Sequence, residues 1–508
     1  MIAVEMLNIS KSYGNVVANK NVTLRLEEGE ILGLIGENGA GKSTIMNVLY
    51  GMTEPDLGTI RLFEKEVVID SPNTAIKYGI GMVHQHFMLM NNLTVLQNII
   101  LGKEPVKNLL IDIKTSKEKI RDIMNKYNLP VDLEEKVYNL SVGEKQRVEI
   151  IKALYRGARI LILDEPTAVL TPTETDKLLE VLRQLKAQGC SIIFITHKLR
   201  EVMRITDKIV VMRKGMVTGS LPTCEANTEI LANLIVGRPV ELTIPRKKDM
   251  VGNVLLEIKE VSAFNQRGLP ALKNISFHLR EGEILGIAGV EGNGQTELIE
   301  AIAGMLKINS GKILFKKQDT GNMSVRKIRE AGMAHIPEDR LKMGTAPNCT
   351  IRDNLILNCY YQKDYSKSGI MDNKKLLELS ERLCTEYGIK TPDSTYELKT
   401  LSGGNMQKVV FAREMETDPA LLIAAQPTRG VDIGAIESIH RKIIEARDDG
   451  KAVLLVSAEL DEILSLSDRI LVMYEGEISA EFKRGEVDER RIAPYMTGAK
   501  FGREGNDE

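Results

Sequence analysis

The chain has 508 residues, of which 43% are hydrophobic and 27% charged, and its formal net charge is −2. This is ordinary globular composition with length for several cores, so two to four domains are expected, and the interspersed charges favour neither a nucleic-acid nor a lipid-surface role. The apolar stretches at Ile160–Leu163, Ile192–Ile195 and Val453–Val456 are far below the roughly 18 to 20 residues that cross a bilayer, and read as buried strands.

In chain order, Met1-Ile-Ala-Val-Glu5 lacks both a basic start and an extended apolar run, so no secretory signal is expected. Tyr13 falls in an early loop, with stacking on an adenine and packing into the core both open. Leu32–Ile35 reads as a strand feeding a glycine loop of Gly36, Glu37, Asn38, Gly39, Ala40, Gly41, Lys42, Ser43 and Thr44, and Lys42–Leu49 as the helix behind it. Glycines at this spacing let backbone N–H groups turn toward phosphate, and the helix N-terminus adds positive potential. Lys42 is placed to reach β- and γ-phosphates of ATP, and Ser43 to ligate Mg²⁺. Gln85 is expected to bridge Mg²⁺ or water to an adjoining mobile segment. The stretch from Ile113 to Tyr127 carries Ile120, Ile123 and Met124 at helical spacing.

The next apolar strand ends in Asp164 and Glu165, the first placed to hold the Mg²⁺ shell and the second to polarise the attacking water. Thr171-Pro-Thr-Glu174 reads as a capping box opening a helix that runs through Gln188. His197, after another apolar strand, is expected to meet the γ-phosphate. The first half should span 1–237, with a connector over 238–252 that contains Pro239, Pro245 and the basic run Arg246-Lys-Lys248. A second half should span 253–497, followed by a frayed polar tail over 498–508. The five cysteines, Cys190, Cys224, Cys349, Cys359 and Cys384, show no metal-ligand spacing and are expected as free thiols in a reducing cytoplasm.

The second half repeats the first. Its loop begins at Gly289, 253 positions after Gly36, a displacement of domain length. The copy has lost its chemistry: Gln295 stands where Lys42 does, Thr296 at Ser43, Glu338 at Gln85, Ala425 at Asp164, Gln426 at Glu165 and Ala458 at His197, while Gly289 and Gly294 are kept. A glutamine cannot supply the lysine's charge, an alanine cannot ligate metal, and a neutral amide cannot act as a base.

Leu140-Ser-Val-Gly-Glu-Lys-Gln146 and Leu401-Ser-Gly-Gly-Asn-Met-Gln407 introduce helices in the two halves. With the loops and strand-end acids, these segments resemble the ATP-binding cassette family over nearly the whole chain. The resemblance implies an α/β fold of two tandem cassettes, each a P-loop core with an antiparallel β subdomain and a helical subdomain. It also implies an ATPase whose nucleotide lies between the loop of one cassette and the signature of the other. Ser402, Gly403 and Gly404 would then complete the site of Lys42, Asp164, Glu165 and His197. Ser141 and Gly143, with Val142 in place of a glycine, would face the degenerate loop. One site should hydrolyse ATP, and the other should at most hold nucleotide.

Within the family, the chain is similar to ATPases of bacterial monosaccharide importers, and more closely to those of nucleoside importers that work with a lipoprotein receptor. The closer match is carried by His84-Gln-His-Phe-Met88, Leu140-Ser-Val-Gly-Glu-Lys-Gln-Arg147, Ile336-Pro-Glu-Asp-Arg340 and Ala424-Ala-Gln-Pro-Thr-Arg-Gly430. This implies two integral-membrane permease subunits as partners and a peripheral position at the cytoplasmic face of the membrane, with Phe87, Met88 and Leu89 near a coupling groove. Soluble tandem-cassette translation factors resemble the chain less, because they usually keep both catalytic sites and join the cassettes by a long charged linker.

Overall fold

The computed structural model describes residues 1–499 except 85–86, 108–109, 168–169, 171, 197, 241–243, 248–250, 291, 322 and 368. The chain divides into two compact units, residues 1–240 and 241–508.

In the first unit the strand Ile31–Gly36 is buried at all six positions, as a strand covered on both faces must be. It lies inside a six-stranded sheet in the order Met216–Pro222, Lys208–Arg213, Ile31–Gly36, Ser191–Ile195, Ile160–Asp164, Ile80–Val83. The inner pairings are parallel, and Met216–Pro222 closes one edge as an antiparallel hairpin. Ile195 registers with both Leu34 and Asp164, so the glycine loop and the acidic pair leave the sheet along the same carboxyl edge. That edge is where open α/β sheets bind their ligands.

A second, antiparallel sheet runs Val16–Glu27, Ile2–Tyr13, Leu57–Leu62, Lys65–Val67. The helical piece is built on Val95–Ile100, Ile113–Lys126 and Val142–Tyr155. Asp112 caps the middle helix by accepting from the Thr115 N–H, and Ile120 of that helix packs in one cluster with Val148, Ile151 and Phe194. The helix of the expected capping box runs Pro172–Ala187, while Thr171 lies outside the described residues.

The second unit repeats this plan. Its strand Ile284–Ala288 sits between Ala452–Val456 and Arg469–Tyr474, and Leu421–Ala425 lies next to Ala452–Val456. Val456 registers with Ile287 and Ala425. Its helical piece comprises Ile351–Ile356, Asn373–Glu386 and Gly403–Met415.

The stretch read as a connector is divided: residues 238–240 stay with the first unit, the Val240 N–H donating to Asn233 Oδ1 at 2.8 Å, while Ile244, Arg246 and Lys247 are held by the second. Arg246 donates to Asp468 Oδ1 at 2.8 Å and to the Ser465 carbonyl at 2.6 Å. The Lys247 N–H reaches Asp448 Oδ2, and the Lys247 carbonyl accepts from Arg447. Ile244 packs against the hydrophobic cluster around Ile443 and Ile463. All five cysteines are free thiols, and burial raises those of Cys190 and Cys359, to about 12 and about 11. No helix among the described residues is long and apolar enough to cross a membrane.

Candidate functional site

In the first unit, Gly36 ends its strand so close to the neighbouring one that a Cβ there would lie 2.2 Å from the Met212 carbonyl oxygen. Gly41, with φ +96°, is the N-cap of the helix Lys42–Leu49, and a Cβ on it would meet the Ala18 carbonyl at 2.5 Å. Only glycine meets both demands at Gly41. Among the described residues no side chain caps this helix, which leaves its first N–H groups to a ligand. Asn38, Gly39 and Ser43 are exposed; Glu37, Gly41 and Thr44 are half-buried, and Ala40 is buried.

The Lys42 side chain, 7% exposed, folds back over the loop and donates to the carbonyls of Gly36 at 2.7 Å and Glu37 at 3.0 Å. Burial lowers its pKa, against the pull of Glu165 and Asp164. Burial, with the like charge of Glu165, raises Asp164 against the opposing pull of Lys42. An ammonium and a carboxylate both displaced toward neutrality by burial are groups that added counter-charge would restore. Glu165 stands at φ +48°, its N–H bonded to the Ile195 carbonyl at 2.9 Å. The following segment is anchored by buried Thr167, whose hydroxyl donates to Glu201 at 2.5 Å.

Gln85 and His197 lie outside the described residues. Their neighbours are described: the His84 imidazole stands edge-on to Tyr50 at 6.1 Å, and Thr196 is buried. Tyr13 ends the strand Ile2–Tyr13 rather than lying in a loop, pairs with Val16, and is 50% exposed, which removes the core-packing alternative. Met88, 59% exposed, lines a cavity of about 110 Å³ with His84, Tyr50, Glu149, Lys152 and Arg156. Phe87 and Leu89 are half-buried.

The second unit keeps the loop and engages its side chains internally. Gly294, at φ +101°, is the N-cap of Gln295–Ile302. Gln295 folds back as Lys42 does: Nε2 donates to the Val290 carbonyl at 3.3 Å and occupies the space that a Cβ on Gly289 would need. Asn293 is bonded to the carbonyls of Met473 and Met496. Thr296 Oγ1 donates to Glu338 Oε2 at 3.3 Å, and Glu338 Oε1 accepts from Arg429 at 2.5 Å. Ala425 is buried, and Gln426, at φ +47°, accepts from the Ala458 N–H at 3.0 Å.

Both signature serines are exposed N-caps. Ser141 forms a capping box with Glu144, Val142 is exposed, and a Cβ on Gly143 would press on Glu174 at 2.9 Å. Ser402 accepts from the Asn405 side chain at 3.0 Å. Gly403 leaves room for Arg340, whose Nη2 would lie 2.7 Å from a Cβ there, and Gly404 likewise faces Asp432 at 2.9 Å. Arg340 begins a π-helical turn, Arg340–Gly344, and clasps the carbonyls of Arg429 at 2.5 Å and Gly430 at 3.3 Å. Sequence reasoning missed this clasp and the Glu338–Arg429 pair. The loss of Gln at Glu338 together with an Arg at the Ala168 position was the available signal.

The ABC transporter family model matches residues 19–168 and 272–429, one stretch in each unit. The chain belongs to this family. As an ABC transporter ATP-binding protein it is an ATPase with tandem cassettes, and its partners are membrane permeases that bring it to a membrane. It is 48% identical to the guanosine import ATP-binding protein of Bacillus subtilis over 98% of this chain and 97% of that one. It is 44% identical to the nucleoside import ATP-binding protein of Lactococcus lactis over 98% of both. The glucose import ATP-binding protein of Haloferax volcanii is 42% identical over 97% of this chain and 95% of its own.

Proposed function

We propose that this ABC protein hydrolyses ATP at one site to energise nucleoside import. The substrate class rests on the 48% and 44% identities to guanosine and nucleoside import proteins, with a monosaccharide as the alternative, favoured by the glucose import relative at 42%. Two permease subunits would carry the solute, a substrate-binding lipoprotein would deliver it, and the chain would sit on the cytoplasmic face, with the exposed Met88 segment toward a permease loop.

The observation that carries the single-site reading is the contrast between the loops. Lys42 and Asp164 are ionisable groups displaced by burial, whereas their counterparts are Gln295 and Ala425. In the working site the helix N-terminus and Lys42 hold the β- and γ-phosphates, with Tyr13 against the adenine. Ser43, Asp164 and Gln85 offer the hard oxygen donors that suit Mg²⁺, which supplies charge neutralisation across those phosphates. Glu165 takes the proton of the attacking water, His197 steadies the γ-phosphate, and Ser402, Gly403 and Gly404 contribute from the second cassette. Gly289, Gly294, Gln295, Thr296, Ala425, Gln426 and Ala458, with Ser141 and Gly143, form the degenerate counterpart.

Two measurements test this in cells carrying the assembled transporter. Uptake of labelled guanosine, but not glucose or ribose, should depend on the chain; the reverse dependence overturns the nucleoside reading. Ser402→Arg should abolish most ATPase activity in assembled complexes while Ser141→Arg leaves most of it. Equal losses would overturn the cross-cassette assignment.

A further inference from the structure

We propose that nucleotide held by the second unit's phosphate loop binds without a divalent cation, the Arg429 guanidinium supplying positive charge on that side of the site. This rests on the reading of that loop as a nucleotide site.

The residues there do not fit Mg²⁺. Ala425 replaces the strand-end carboxylate, which leaves Thr296, Glu338 and the neutral amides of Gln295 and Gln426 as oxygen donors, and Gln426 Oε1 already accepts from the Ala458 N–H at 3.0 Å. Both oxygens of Glu338 are engaged: Oε2 accepts from Thr296 at 3.3 Å and Oε1 from Arg429 at 2.5 Å. A divalent ion beside Thr296 would have to share a carboxylate already paired with a guanidinium and stand next to that positive charge. An anion would instead meet the exposed edge of the Arg429 guanidinium, whose charge Glu338 offsets only in part. Arg429 occupies the position of Ala168 in the first unit, so this unit has gained a cation near the loop that has lost its lysine.

The arginine is also positioned. Its backbone carbonyl and that of Gly430 are clasped by Arg340, its N–H bonds the Gln426 carbonyl at 3.1 Å, and Glu338 orients the guanidinium. Its side chain remains 56% exposed, leaving donor edges toward solvent. A guanidinium is a fixed, charged fork that matches phosphate oxygens without a metal between them.

The test uses the full chain photolabelled with 8-azido-ATP, in Mg²⁺ or in excess EDTA, with the label mapped by peptide to each unit. EDTA should cut labelling of the first unit at least tenfold and change that of the second less than twofold. Arg429→Ala should cut the EDTA-resistant label about tenfold, Arg429→Lys should restore part of it, and bound Mn²⁺ should number one per chain. If the second unit's label falls with EDTA in parallel with the first, Thr296 and Glu338 hold a cation and the proposal fails alone. If the second unit takes no label in either condition, the nucleotide reading of that loop fails with it. Should Arg429→Ala unfold the chain, the wild-type EDTA comparison and the Mn²⁺ count still decide.

Discussion

The two units share a strand order and differ in the partners that their described loop side chains take. Around the first loop, Lys42 bonds the backbone carbonyls of Gly36 and Glu37, and burial has displaced both it and Asp164 from their ordinary values. Around the second, Gln295 reaches Val290, Thr296 reaches Glu338, Glu338 holds Arg429, and Gln426 holds the Ala458 N–H. A catalytic centre keeps charge in reserve for its ligand at some cost in stability, while a site relieved of chemistry can turn the same positions into internal bonds.

The contrast extends to the helices behind the signatures. Val142–Tyr155 carries Glu149, buried, with Oε1 lacking a partner and Oε2 3.7 Å from Lys152, beside a cavity. Gly403–Met415 carries Glu414, fully buried, which accepts from Arg329 at 2.5 Å, Arg413 at 3.1 Å and Asn358 at 3.0 Å. The second unit fills with its own arginines a region that the first leaves partly open.

The sharpest way to break the comparison is at the strand-end acid. Glu165→Gln removes the carboxylate proposed to polarise the attacking water and keeps the shape of the site, so ATP should bind while turnover falls about 10²- to 10⁴-fold. Gln426→Glu should leave turnover within about twofold, because Gln295 and Ala425 remain and a lone carboxylate restores no site. Steady-state ATPase assays on assembled transporters check both. Loss of similar size in the two variants, or a gain from Gln426→Glu, would mean that the second loop contributes chemistry.

The second measure compares the buried glutamates. Glu414→Gln leaves two arginines facing a neutral amide in a buried setting and should cost about 3 kcal/mol of local stability. Glu149→Gln removes a carboxylate that is already half unsatisfied and should cost under about 1 kcal/mol. Amide exchange followed by mass spectrometry, read over 403–415 and 142–155 in the full chain, reports the two separately. Equal costs would mean that the open carboxylate is as well compensated as the closed one.

How much of this was legible beforehand follows from the reach of each signal. The helix Lys42–Leu49 and the strand ending at Asp164 announce themselves through short-range patterning, an apolar run followed by glycines or acids, and the structure has both at those positions. Long-range partners leave no such trace. Arg246 reads as part of a basic connector, yet its partner Asp468 lies 222 positions away, and Arg429 meets Glu338 across 91. Tyr13 was misplaced because strand pairing with Val16 carries order to the end of a segment whose composition resembles a loop.

A further contrast concerns acid. His335 stands where the first unit has Met82, and burial pushes its imidazole down to about 4, against the pull of Glu414. Its folded value lies below the ordinary 6.5, so the unfolded chain binds more protons between those limits. The second unit is therefore most stable above pH ~6.5 and loses up to about 3 kcal/mol as pH falls toward 4. The first unit has a depressed imidazole of its own, His84, half-buried beside Glu149 and Lys152, so it too weakens with acid. His335→Met isolates the difference: every other titrating group is unchanged, and the acid slope of amide protection over 421–425 should flatten while that over 160–164 stays as in the wild type. An unchanged slope over 421–425 would mean that His335 accepts its proton without unfolding, and that the burial of this imidazole does not set the acid limit of the second unit.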